Sequence, residues 1–121
     1  MIKKTNRLRA SRHIKRAINK GLNWKGSLFS LKAYKKRQGD NFSRLAVVIS
    51  AKSIKGAVER NRLRRRIKAA FRGGLKDLDG WDIVVFPARR AGEIEFKLIE
   101  EETEKCLQDL RSKSSEFTKR P

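Results

Sequence analysis

Between Ala51 and Arg72 the chain reads AKSIKGAVERNRLRRRIKAAFR, and no other stretch limits its possible folds so tightly. From Lys52 to Arg72 there are nine lysines or arginines and a single acid, Glu59. Such a density ordinarily marks a solvated, disordered run. Inside it, however, Leu63, Ile67, Ala70 and Phe71 recur at the period of a helix. At roughly 100° per residue these four, with Ala57, cover one side of that helix. Arg62, Arg65, Arg66, Lys68 and Arg72 spread over the other side, while Arg60 and Arg64 lie nearer the stripe and must reach past its edge. The stretch predicts a packed helix with a cationic outer face. Guanidinium groups predominate on it, and their planar forks suit phosphate oxygens better than an ammonium does. Asn61, between two arginines, adds an amide able to bond a base edge, a ribose or a phosphate. Like charges this dense repel unless an anion compensates them, so the face is expected to meet a polyanion.

The distribution of charge supports that expectation. Of a net charge of +19 on 121 residues, residues 1–20 carry +8, residues 21–51 carry +5 and residues 52–72 carry +8. The remaining 49 residues are neutral or slightly acidic, so one part of the molecule holds the whole cationic surface. Nucleic acid is the expected partner. A membrane surface is disfavoured, because no basic segment carries a wide aromatic or leucine face. Nor does any stretch approach the roughly 20 apolar residues of a membrane span. The basic N-terminus lacks the apolar centre of a secretion signal. With one cysteine, Cys106, neither an internal disulfide nor a multi-cysteine zinc site can form, and a cytoplasmic protein without a disulfide-linked partner is expected.

In chain order, residues 1–9 read as a flexible basic arm, residues 10–111 as one folded domain and residues 112–121 as a polar tail. Ser11 is the expected N-cap of a first helix, with Ile14, Ala17 and Ile18 on its inner stripe and Gly21 at its end. Leu22 to Ser27 read as a turn. From Leu28 to Tyr34 alternation places Phe29, Leu31 and Ala33 on one face of a strand, with Ser30, Lys32 and Tyr34 on the other. Lys35 to Ser43 is a hairpin loop. Leu45 to Ile49 is wholly apolar and reads as a central, buried strand. Gly73 and Gly74 stop the basic helix, and Trp81 to Phe86 form another apolar strand. A last helix is expected from Glu93, with Phe96, Ile99, Thr103, Cys106, Leu107 and Leu110 inside. The order of elements predicts an α+β sandwich with helices packed on a small sheet.

Catalytic chemistry is hard to find in the polypeptide. His13 is the single histidine and has no nearby cysteine, carboxylate or second histidine in sequence, which suits a surface or RNA contact. Asp77, Asp79 and Asp82 are close enough to hold magnesium weakly, but they flank a turn, where aspartate is common. The acids of the last helix (Glu93, Glu95, Glu100, Glu101, Glu102 and Glu104) read as support on its outer face. No glycine-rich phosphate loop is present. The chain reads as a binder, with no catalytic residue and no metal ligand of its own.

AVERNRLRRRIKAAFR, preceded by Lys52 and Ile54, closely resembles the Arg-Asn-Arg signature of the bacterial ribonuclease P protein component. RLRASRHIKRAINKG at 7–21 occupies the place of that family's first helix. LFSLKAY at 28–34 and RLAVVIS at 44–50 match two strands, and WDIVVFPARRA at 81–91 matches the aspartate-led strand. The resemblance implies an αβββαβα sandwich with a left-handed crossover at the basic helix. It implies a cofactor protein for a catalytic RNA that, with Mg²⁺ bound mainly by the RNA, removes the 5′ leader of precursor tRNA and leaves a 5′-phosphate. By position, Lys52, Arg60, Asn61, Arg62, Arg65, Arg66, Lys68 and Arg72 would meet the RNA subunit. Ile14, Arg16, Ile18 and Lys32 would line the leader cleft. Ile14 and Ile18 stand where the family usually has aromatics, so either leader contact or plain helix-to-sheet packing explains them. Ser53 and Lys55 also depart from the family's usual lysine and glycine. A ribosomal or other structural RNA-binding protein fits the composition equally well; a DNA-binding helix module fits less well, since no dimer seam or helix-turn-helix pair is present.

Overall fold

The computed structural model describes residues 7–36 and 42–119, with side chains as far as residue 113. The first six residues of the expected arm, the hairpin turn at 37–41 and the last two residues lie outside the described residues. Three helices and four strands follow in the order α1 (Ser11–Lys20), β1 (Leu22–Lys25), β2 (Phe29–Lys35), β3 (Arg44–Val47), α2 (Ala57–Phe71), β4 (Trp81–Pro87) and α3 (Phe96–Lys119). The sheet order is β1-β2-β4-β3, antiparallel except where β3 runs parallel to β4. α1 lies on one face of the sheet, and α2 and α3 pack on the other. The expected α+β sandwich is the observed fold.

Alternation sorts the two faces. Phe29, Leu31 and Ala33 of β2, Leu45 and Val47 of β3 and Ile83 and Val85 of β4 point into the main core. There Leu63, Ile67 and Phe71 of α2 meet Ile99, Cys106, Leu107 and Leu110 of α3. The Phe29 ring lies between Trp24 and Phe71, at centroid distances of 5.5 and 5.6 Å. Aromatic packing at such tilted angles adds to simple burial. Ala57, expected on the apolar stripe, is exposed in the first turn of α2. Cys106 is buried, and burial first, then the charges of Asp109 and Glu102, push its thiol pKa up.

Several boundaries differ from the sequence expectation. Leu22–Lys25 is an edge strand rather than a turn; Leu22 and Trp24 face the core while Asn23 and Lys25 face out, a pattern too short to register between flanking glycines. Ser11 is the first helical residue, and Ala10 takes the N-cap position without a side-chain hydrogen bond. β3 is not central, because it stands at the sheet edge. Of its apolar run only Leu45 and Val47 are buried, and part of its open side is covered where the Leu8 N–H donates to the Leu45 carbonyl at 3.0 Å. Part of the expected flexible arm is therefore built in, with Leu8 buried. The interior strands are β2 and β4, and in β4 the residues Trp81 to Val85 are all buried.

A 3-10 turn at Arg89–Gly92 delays α3 to Phe96, and its backbone stays helical to Lys119, through most of the stretch expected as a tail. At the end of α2, Gly74 is needed for space: a Cβ there would meet Leu107 Cδ1 at 2.2 Å.

One acid of α3 does more than support its helix. The Glu102 carboxylate accepts from the Ser27 N–H at 3.0 Å, the Ser27 hydroxyl at 2.8 Å, the Leu28 N–H at 2.9 Å and the Phe29 N–H at 3.1 Å. It satisfies the donors of the β1–β2 turn and ties that hairpin to α3. Hydrogen bonds to charged groups contribute about 1.5–3 kcal/mol each, with partial compensation by water where the donor is exposed. Glu102→Ala is expected to lower stability by about 2–3 kcal/mol in urea unfolding. A loss within experimental error would show that water replaces the carboxylate at no cost.

Candidate nucleic-acid interface

Helical spacing and packing divide the basic residues of α2 into two groups. With Leu63, Ile67 and Phe71 fixed inward, the outermost line runs through Val58, Asn61, Arg62, Arg65, Ala69 and Arg72, all exposed. Val58 is 79 % exposed, an apolar spot at the start of a cationic stripe. The half-buried basic residues flank this line. Arg60 turns back and donates to the Ile54 and Lys55 carbonyls at 2.8 and 2.7 Å, closing the loop that enters the helix. Arg66 donates to the Ile94 carbonyl, and its guanidinium lies 6.0 Å from the centre of the Phe96 ring. Arg64 donates to the Asn61 side-chain oxygen at 2.9 Å, which orients that amide on the surface.

Of the eight residues expected to meet an RNA subunit, Asn61, Arg62, Arg65 and Arg72 thus share the outward line, with Lys68 at its margin. Lys52 is exposed in the connection before the helix. Arg60 and Arg66 are engaged in holding α2 to its neighbours. Sequence spacing alone does not separate these roles, because the accepting carbonyls belong to a loop and to a turn 28 residues away.

Lys68 reveals a further cation that the sequence does not associate with this face. Its pKa is lowered by partial burial first, then by the charges of Arg64 and Arg7. Arg7 pairs with Leu45, so it points to the α2 side of the sheet while Leu8 points to the α1 side. Three like charges gather at this edge, where Arg64 and Arg7 disfavour the protonation of Lys68. A bound anion would relieve the repulsion.

The other face of the sheet carries the second surface. Register places Asn23 and Lys25 of β1, Ser30, Lys32 and Tyr34 of β2, Asp82, Val84 and Phe86 of β4, and Arg44 and Ala46 of β3 on this side. α1 crosses only one end of it. Its Ala17 is wholly buried against Val84 and Leu8. On one flank of that contact Arg16 donates to Asp82 at 3.0 Å and stacks 4.4 Å from the centre of the Tyr34 ring. On the opposite flank lie Ile14, packed into the small cluster, and Ile18, still 36 % exposed. The open end of the sheet beside this second flank forms a groove, with half-buried Lys32 on its floor. Ile14, Ile18 and Lys32 are therefore brought together. Arg16 is not: it sits on the far side of α1.

Asp82 anchors the closed end. It is fully buried, receives a forked pair of hydrogen bonds from Arg44 at 2.8 Å each, and has the Lys36 ammonium at 3.7 Å. Burial alone would raise its pKa, but the hydrogen bonds and charge of Arg44, then Lys36 and Arg16, outweigh burial and hold the carboxyl below its ordinary value. This removes Asp82 from the Asp77–Asp79–Asp82 trio considered for magnesium, since its oxygens are taken by cations. Among the described residues no three His, Cys, Asp or Glu side chains lie together as a metal cage. His13, half-buried on the Arg16 flank, has its pKa lowered by burial first, then by Arg44, Arg12 and Arg16. Among the described residues no helix is long and apolar enough to cross a membrane.

A family model described as Ribonuclease P matches residues 2–111. The ribonuclease P protein component of Pseudomonas aeruginosa is 45 % identical over 60 residues, which cover 50 % of this chain and 44 % of that protein. The match thus spans less than half the length of that relative. Among solved structures, the ribonuclease P protein of Thermotoga maritima aligns with a TM-score of 0.72 and 28 % identity, over 85 % of this chain and 96 % of that one. The Staphylococcus aureus ribonuclease P protein shares the fold, with a TM-score of 0.72 and 24 % identity over 85 % and 93 % of the two chains.

The buried charge cluster makes stability depend on acidity. Because the folded-state pKa of Asp82 is depressed, its contribution is fully present above the unfolded value of about 4 and is lost as pH falls through the lower folded value. Asp82→Asn is expected to cost about 3–5 kcal/mol at neutral pH and to flatten the decline in stability below about pH 4. Urea unfolding of both proteins across that range tests it. Parallel curves for the two proteins would assign the acid sensitivity to other carboxylates.

Proposed function

The chain belongs to the ribonuclease P protein family, and on that footing we propose that it is the protein subunit of a bacterial ribonuclease P, working in the cytoplasm. The observation that carries this reading is the outward line of α2, where Asn61, Arg62, Arg65 and Arg72 stand exposed with no acid among them. An RNA helix or junction laid along this line would have its phosphates neutralised by forked guanidinium contacts, with release of condensed counterions. Lys68, Arg64 and Arg7 extend the same surface around the β3 edge. Arg60 and Arg66 contribute by fixing the helix rather than by meeting the RNA. The partner assigned to this surface is the catalytic RNA of the enzyme.

The groove beside α1 receives the single-stranded 5′ leader of precursor tRNA. An extended strand needs cations for its phosphates and apolar surface for its bases, and Lys32 with Ile18 and Ile14 supply one of each kind. Hydrolysis of the phosphodiester, which frees the leader and leaves a 5′-phosphate, falls to the RNA subunit with Mg²⁺. Asp82 does not fit that ion, because among the described residues three cations already hold its oxygens. The protein's part is to bring two polyanions together and to hold the substrate strand.

Addition of the protein to a ribonuclease P RNA and precursor tRNA at low Mg²⁺ is expected to stimulate leader removal. A protein that binds RNA yet leaves cleavage unstimulated would instead be a structural RNA-binding protein. Within the active complex, replacing Arg62, Arg65 and Arg72 together by alanine is expected to weaken assembly and to lower the salt dependence of binding. Each phosphate that is no longer neutralised reduces the slope of log K against log salt by about 0.9 on a duplex. An unchanged slope would remove this line from the RNA interface.

A further inference from the structure

The groove has a floor residue that the sequence pattern assigns only to strand structure. Phe86 lies on the same face as Lys32, across the sheet from Ser30 and at the end of β4 away from Asp82, where Arg16 of α1 is bound. Ser30 is too small to cover the ring from the β2 side. On the β3 side the sheet continues by one more hydrogen bond, from the Val48 N–H to the Val85 carbonyl at 2.9 Å, and Val48 is 39 % exposed. The Phe86 ring is half-buried, at the margin of the small cluster under α1. Lys32 is diagonal to it one strand away, with about 7–8 Å between the two backbones.

An aromatic ring at the mouth of a groove, with a cation diagonal to it and apolar neighbours beside it, is a platform for an unpaired base. The helical wall lacks such a ring, since Ile14 and Ile18 offer apolar contact without a π-face. We infer that Phe86 is the base-stacking residue of this groove, taking one leader nucleobase on its ring while Lys32 holds a neighbouring phosphate. The inference rests on the leader-groove reading above and adds to it a specificity-determining residue on β4. Stacking moves to the sheet floor in this chain, so the base is held against the sheet and α1 closes over its edge.

The test compares the wild-type holoenzyme with Phe86→Leu, which keeps apolar bulk and loses the ring. Both are titrated with precursor tRNA carrying a short leader and with the same tRNA lacking it. The expected result is a roughly five- to hundred-fold weaker affinity of Phe86→Leu for the precursor, with mature tRNA unaffected. A leader with an abasic site at the stacked position should erase the difference between the two proteins. If the wild type prefers the precursor and Phe86→Leu keeps that preference in full, the stacking role is overturned and the groove reading stands. If the wild type shows no preference for the precursor, the groove reading itself fails and takes this inference with it. Phe86→Trp guards against a folding defect. Its added indole fluorescence should change with precursor but not with mature tRNA, and an unresponsive indole overturns the proposal.

Discussion

A single buried carboxylate holds together the part of the molecule that the two surfaces share. Asp82 stands near the start of the interior strand β4, and the three cations that converge on it come from α1, from the residue after β2 and from β3. Without them a fully buried charge would be prohibitively costly, and without Asp82 three cations would crowd one corner of an already cationic protein. The cluster orients Arg16, and Arg16 fixes which flank of α1 faces the closed end. The other flank, with Ile14 and Ile18, is thereby turned to the open groove. A fully buried carboxylate thus sets which side of α1 faces the rest of the sheet.

The same economy governs α2. An arginine-rich helix repels itself, and the fold holds some of its guanidinium groups in fixed positions through hydrogen bonds to neutral acceptors. Arg60 and Arg66 bond backbone carbonyls, and Arg64 bonds Asn61. Neutral acceptors leave the charge in place while fixing its position, so the helix keeps a high potential at its surface. Acidic partners would have cancelled it. Glu59 is the single acid of the helix, in its first turn, where it complements the helix dipole.

What the sequence makes legible follows from the range of the forces involved. Periodicity identifies α2, β2, the inner face of α3 and the sandwich itself, because burial of one face leaves a local pattern. Lateral order leaves none. The apolar run of Leu45 to Ile49 suits a central strand and an edge strand covered on its open side equally well, and residues 7–8 provide part of that cover. Glu102 and Asp82 read as helix support and turn aspartate because their partners are 73 to 75 residues away for Glu102 and 38 to 66 residues away in the hydrogen bonds to Asp82. The family signature locates the basic line but does not divide it into surface and structural arginines. Phe86 is hidden by its setting, since an aromatic at the end of an apolar strand reads as core until the register shows that it shares a face with Lys32 and stands across from the small Ser30.

The two cationic surfaces stand on opposite layers of one sheet, with α2 on one side and the groove on the other. A protein with both on one face would bring two polyanions into direct competition for the same charges. Here the sheet separates them, and the β3 edge, where Arg7 and Lys68 approach each other, is the one described border at which the α2 surface turns toward the α1 layer. On the proposed function, a large folded RNA occupies α2 while a single strand enters beside α1. Each contact lowers the repulsion that the other partner would feel, because both polyanions are screened by one compact body of net charge +19. Joint binding through shared screening needs no conformational change, and the rigid core between the layers is suited to it.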